Sequence, residues 1–133
     1  MEVAADTSML PSYMLRQIYV KGSLKNVKEG DKVTGFTLSM KNKLGTATLK
    51  GEVILTVGGQ QIPADSVEIR KGETKMMAAD LVQTPLKFSV GDQLDVTVKK
   101  EGGLVPGAHK VEIKVPTVEF GRCQFDVTDN VVT

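Results

Sequence analysis

The segment from Gly102 to Val127 constrains the fold more than any other stretch. After a Pro106-Gly107 turn it alternates strictly, placing His109, Val111, Ile113 and Val115 on one face and Lys110, Glu112 and Lys114 on the other. A period of two with one apolar face is the pattern of a half-buried strand. The same segment holds the only histidine and the only cysteine of the chain, His109 and Cys123. The two residue types most often used for polar chemistry therefore fall inside β-framework, and a function has to be argued around them.

The same reading extends along the rest of the chain. Val33 to Met40 alternates, with Phe36, Leu38 and Met40 in phase, and Asn42 to Gly45 supply a turn. Thr46 to Val57 reads as one long ribbon that Gly51 bulges or bends, and Gly58-Gly59 closes a hairpin because a two-residue hairpin turn needs positive φ. Ser66 to Arg70 is a short strand, and Thr74 to Leu81 fits either a strand end or a helical turn. Leu86 to Val90 and Leu94 to Val98, separated by Gly91-Asp92, read as a second hairpin. The final strands are expected over about 109–115 and 122–127, and SYMLRQIYVKGSL, residues 12–24, as a short strand. About eight or nine short strands without a sustained helical period predict an all-β fold, a single antiparallel β-sandwich of immunoglobulin-like or jelly-roll-like kind. Residues 1–10 are expected to form a flexible arm and 11–133 the one sandwich domain.

Composition narrows the partners. The 133 residues carry 17 basic and 16 acidic side chains, with the lysines interleaved along strands. Such a chain lacks the basic surplus of a nucleic-acid binder. A single cysteine excludes an internal disulfide, and Cys123 with one histidine cannot supply a four-ligand zinc site. The acidic N-terminus lacks the form of a signal peptide and no apolar run reaches membrane-spanning length, so the expected location is cytoplasmic.

No cluster of side chains declares an active site. His109 reads as a residue whose polar end ties a loop to its strand, and Cys123, in phase with Phe125 and Val127, as a small buried hydrophobe. Asp65, Glu68, Asp80, Asp92, Asp95, Glu112, Glu119, Asp126 and Asp129 read as solvated surface acids. Tyr13, Met14, Leu15, Ile18 and Tyr19 form an apolar and aromatic cluster around Arg16, fitting either core or a partner-binding surface. Tyr13, Met14, Leu15, Arg16 and Tyr19 are the residues expected at such an interface. No catalytic, cofactor-binding or metal-binding residue is assigned in this chain.

Three stretches, LPSYMLRQIYVKGSLKNV, GFTLSMKNKLGTATLKGEVILTVGGQQIP and GGLVPGAHKVEIKVPTVEFGRCQFDVTD, together resemble the small β subunit of bacterial C-glycoside deglycosidases. The resemblance implies an accessory subunit of a C–C lyase. Its TIM-barrel α subunit would bear a divalent metal, manganese being expected, and the acid-base groups. The substrate would be a 3-oxo-C-glycoside with a flavonoid-type aglycone, cleaved by β-elimination at the subunit interface. Two other readings stand beside it. One is a carbohydrate-binding or adhesive sandwich module without catalysis, and the other is a small enzyme using His109 with Cys123 or a carboxylate.

Overall fold

The computed structural model describes residues 10–132, and the arm expected over residues 1–10 lies almost entirely outside them. Among the described residues, eleven strands form two antiparallel sheets, which bears out the all-β sandwich with more strands than expected. The first sheet has the order β1 (Lys25–Glu29), β2 (Lys32–Lys41), β9 (Gln93–Lys99), β6 (Val67–Lys71) and β7 (Thr74–Met77). In the second, β10 (Ala108–Thr117) pairs along one side with β11 (Gly121–Asn130). Its other side carries β4 (Ile54–Val57) and then β3 (Ala47–Leu49), themselves flanked by β5 (Gln60–Ile62) and β8 (Leu86–Phe88).

The alternation seen in the sequence becomes the packing between the sheets. Phe36, Leu38, Leu94, Val96, Val98, Val67 and Ile69 face inward from the first sheet, and Leu55, Val111, Ile113, Phe125 and Leu49 from the second. Burial of such side chains contributes roughly 1.5–3 kcal/mol each before the entropy of ordering is set against it.

The expected ribbon from Thr46 to Val57 is real. β3 and β4 both run antiparallel along the same side of β10, but Leu49 pairs with Thr117 and Ile54 with Lys114, so the β3–β4 side has extra residues bulging out. Gly51 sits in this bulge at φ +120°, where a Cβ would also press on the Pro116 ring. Gly58 and Gly59, both at positive φ, close the β4–β5 hairpin.

Two expectations need correction. β8 and β9 do not form a hairpin: β8 pairs with β3 in one sheet and β9 with β2 and β6 in the other. Alternation identifies which face of a strand is buried but carries no information about its neighbour. Residues 12–24 contain no strand. Ser12–Leu15 is one turn of α-helix, α1, followed by a 3-10 turn over Arg16–Ile18. Conversely β1, with the polar sequence KNVKE, is an edge strand whose charges mask its pairing signal. The Thr74–Leu81 stretch holds both forms considered for it, β7 and then a 3-10 turn over Ala78–Val82.

Asn42 shows how much a turn residue can hold. It is 4% exposed. Its Nδ2 donates to the carbonyls of Gly45 (2.7 Å) and Phe88 (2.8 Å), while Oδ1 accepts from the N–H groups of Leu44 (3.0 Å) and Gly45 (3.3 Å). Asn42→Ala leaves these backbone groups unmatched, the Phe88 carbonyl among them buried. Its expected cost is about 2 kcal/mol, a fall of roughly 8 °C in Tm by scanning calorimetry. Asn42→Asp should not recover it, because a carboxylate cannot donate to the two carbonyls.

Candidate functional site

The N-terminal segment lies along the outer edge of β11, the side not paired to β10. There the Ser12 hydroxyl donates to the Gln124 carbonyl (3.0 Å) and Arg16 Nε to the Asp126 carbonyl (2.8 Å). Further along, Val132 N–H donates to Leu24 O and Asn26 N–H to Val132 O, each at 2.9 Å, carrying the C-terminal end of the chain onto β1. An uncovered strand edge would offer its carbonyls and N–H groups to other chains, so this strap protects β11 from edge-to-edge pairing.

The strap is fixed by a buried polar knot. Tyr19 hydroxyl donates to Asp129 Oδ2 (2.7 Å), which also accepts from Gly22 N–H (2.8 Å), while Asp129 Oδ1 accepts from Asn130 N–H (2.9 Å). Burial alone would raise the Asp129 carboxyl pKa, but the hydrogen bonds from Tyr19, Gly22 and Asn130, with the Lys21 charge, outweigh it and hold the pKa below the usual carboxylate value. The Tyr19 hydroxyl moves the opposite way. Burial and the adjacent carboxylate both disfavour its ionised form, and its pKa is raised. Asp129 is therefore no solvated surface acid. The sequence hid it because aspartate in a strand normally marks the exposed face.

The knot divides the expected interface cluster. Leu15 and Tyr19 are buried at 3% and 8% exposure and belong to the core, so they are not available to a partner. Met14 is half-buried. Tyr13 is 67% exposed, and Arg16 remains on the surface, where its second contact, Nη2 to Asp126 Oδ1, spans 3.4 Å. Arg16, Lys21, Asp126, Val127 and Thr128, with the small exposed edge of Tyr19 at the base, line a shallow surface depression beside α1.

His109 and Cys123 do not meet. His109 pairs across the ladder with Asp129, and Cys123 with Val115. The β10 run from His109 to Val115 separates them by about 20 Å at the rise of a strand, which overturns the small-enzyme reading based on that pair. His109 Nε2 donates to Val105 O at 2.7 Å, tying the loop before β10 to the strand. Cys123 is buried at 5% exposure.

Other acids also serve the framework. Glu119 accepts from both the N–H (2.6 Å) and the hydroxyl (2.9 Å) of Thr48, and these bonds lower its pKa. Asp92 accepts from Ser89 N–H (2.8 Å), and Asp80 from Met77 N–H (3.0 Å). Among the described residues, no group of three or more His, Cys, Asp or Glu side chains is placed to hold a metal ion. No helix among them is long and apolar enough to cross a membrane.

Fold and site together define an antiparallel β-sandwich domain whose polar side chains mostly fasten its own loops and edges. A family model described as the hydroxymethylglutaryl-CoA reductase N-terminal domain matches residues 14–132, and the chain belongs to that family. No curated protein matches it.

The family match corrects the resemblance to C-glycoside deglycosidase β subunits. With it fall the function as a subunit cleaving 3-oxo-C-glycosides and the description of the chain as part of a C–C lyase. The motifs behind the resemblance were a Pro-Gly turn, an alternating strand and a two-glycine hairpin. Turn geometry demands these in many sandwiches, whatever their chemistry. The expected manganese-bearing TIM-barrel partner rested on that resemblance and loses its ground with it.

Proposed function

We propose that this chain is a non-catalytic β-sandwich domain of a hydroxymethylglutaryl-CoA-reductase-type protein, docking through the surface of α1 and the 3-10 turn after it on the part of that protein that carries catalysis. The observation that carries the reading is the family match over residues 14–132, whose description is that of an N-terminal domain. The site chemistry supports it. The knot at Asp129 and the caps at Glu119, Asp92 and Asp80 engage carboxylates that an acid-base site would need to leave available for substrate. Tyr13 on α1 and Arg16 at the start of the 3-10 turn after it are both exposed, and aromatic and arginine side chains are enriched at protein interfaces.

The isolated chain is expected to show no hydroxymethylglutaryl-CoA-dependent oxidation of NADPH or NADH. Measurable turnover by the chain alone would overturn the non-catalytic assignment. Co-expressed with the catalytic part of the reductase-type protein supplied as a separate polypeptide, the chain should co-elute on size exclusion, and Tyr13→Asp with Arg16→Glu should separate the two. Co-elution unchanged by both substitutions would remove α1 as the docking surface.

A further inference from the structure

The sandwich interior is not filled evenly. Between the sheets, toward the end formed by the 42–46 and 118–120 loops, lies a cavity of about 70 Å3. Its walls include Leu38, Leu94 and Val96 from the first sheet and Ile113, Phe88 and Phe125 from the second. The cavity is about half the size of an engineered apolar cavity of roughly 150 Å3 that admits benzene.

Two features decide what such a space accepts. The uncharged polar side chains on its wall, Asn42 and Thr117, are already engaged. Asn42 makes four backbone hydrogen bonds, and the Thr117 hydroxyl donates to Gly121 O (2.8 Å) and accepts from Phe120 N–H (2.9 Å). An occupant therefore finds little to hydrogen-bond and must have no such need itself. The wall also reaches the surface through the half-buried side chains of Leu10, Leu44, Val53, Val115 and Phe120, an apolar path from solvent to interior. The Phe120 ring lies over Gly45, where even a Cβ would come within 3.3 Å of it. A narrow apolar channel with an apolar rim suits a thin, flexible hydrocarbon whose polar head stays outside.

We propose that this cavity binds the terminal carbons of an unbranched alkyl or acyl chain, entering beside Phe120. The proposal goes beyond the docking role and does not depend on it. Only a few methylenes fit, so affinity for a free single-chain amphiphile falls in the millimolar range. Binding is read from the methyl NMR shifts of the whole chain titrated separately with decanoate and with sonicated phosphatidylcholine vesicles. Shifts of the Leu38, Val96, Ile113 and Val115 methyls with decanoate alone assign a free amphiphile, and with vesicles alone the acyl chains of a bilayer. Either supports the site.

Ala47→Leu, which adds volume to the cavity wall, and Gly45→Val, which crowds the mouth against Phe120, should each weaken binding about tenfold or more. Two substitutions at separate points keep the test open if one of them fails to fold. Interior methyls unmoved by both probes would overturn the proposal. So would equal binding by wild type and a folded variant, which would identify adsorption on the outer surface.

Discussion

Gly35→Ala is expected to destabilise the domain by more than about 4 kcal/mol, a large share of the 5–15 kcal/mol typical of a domain. Gly35 lies in β2, paired with Val27 of β1 on one side and Lys99 of β9 on the other. A Cβ there would be driven into the Val98 carbonyl oxygen, and would sit 3.1 Å from the Val98 carbonyl carbon and 3.3 Å from Lys100 N. These are backbone atoms of the neighbouring strand and cannot swing aside, so the β2–β9 ladder must open. Gly30→Ala is the matched control. Gly30 adopts φ +66° but has nothing within 4 Å of a new Cβ, so only the left-handed conformation is penalised, by about 1 kcal/mol. Urea unfolding followed by circular dichroism separates the two. Near-equal midpoints for both variants would show that β2 and β9 do not approach as closely as described.

Asp129→Ala should cost about 3 kcal/mol, because it strands the Tyr19 hydroxyl in the core and removes the acceptor for Gly22 and Asn130. Tyr19→Phe removes one donor and should cost about 1.5 kcal/mol. The double variant should cost less than the sum, since the two groups share one hydrogen bond. Strict additivity would show that they do not interact.

The pH dependence follows from the lowered Asp129 pKa. The native carboxylate releases its proton more readily than the unfolded one, so its contribution is fully present above the unfolded value of about 3.9. It is lost as pH falls through the lower folded value. Wild type should lose stability across that acid window, and Asp129→Asn, already weaker at neutral pH, should lose less there. The raised Tyr19 pKa acts at the other end, its contribution being present below the unfolded value of about 10 and lost in stronger alkali.

The legibility of this chain varied with the kind of information each residue carried. The β10 and β11 strands were readable because alternate side chains point to opposite faces, and both extend a few residues beyond the expected ends. Gly51 and the Gly58-Gly59 pair were readable because bulges and tight turns demand backbone conformations that glycine adopts most easily. The 12–24 segment was misread because an apolar cluster interrupted by polar residues fits neither period over so short a length. Its conformation is set by the β11 edge it covers. Asp129 and Asn42 resembled surface and turn residues, and only their partners far along the chain, Tyr19 and Phe88, reveal that they are buried.

By itself the sequence determined the all-β class, the buried faces of most of its strands and the framework setting of His109 and Cys123, because these depend on local periodicity and turn chemistry. The tertiary structure alone decided which strands are neighbours, how the strap seals β11, that Asp129 is a buried acceptor and where the two sheets leave a cavity. Each of these depends on groups distant in the chain meeting in space, and side-chain alternation along one strand is blind to what lies across from it.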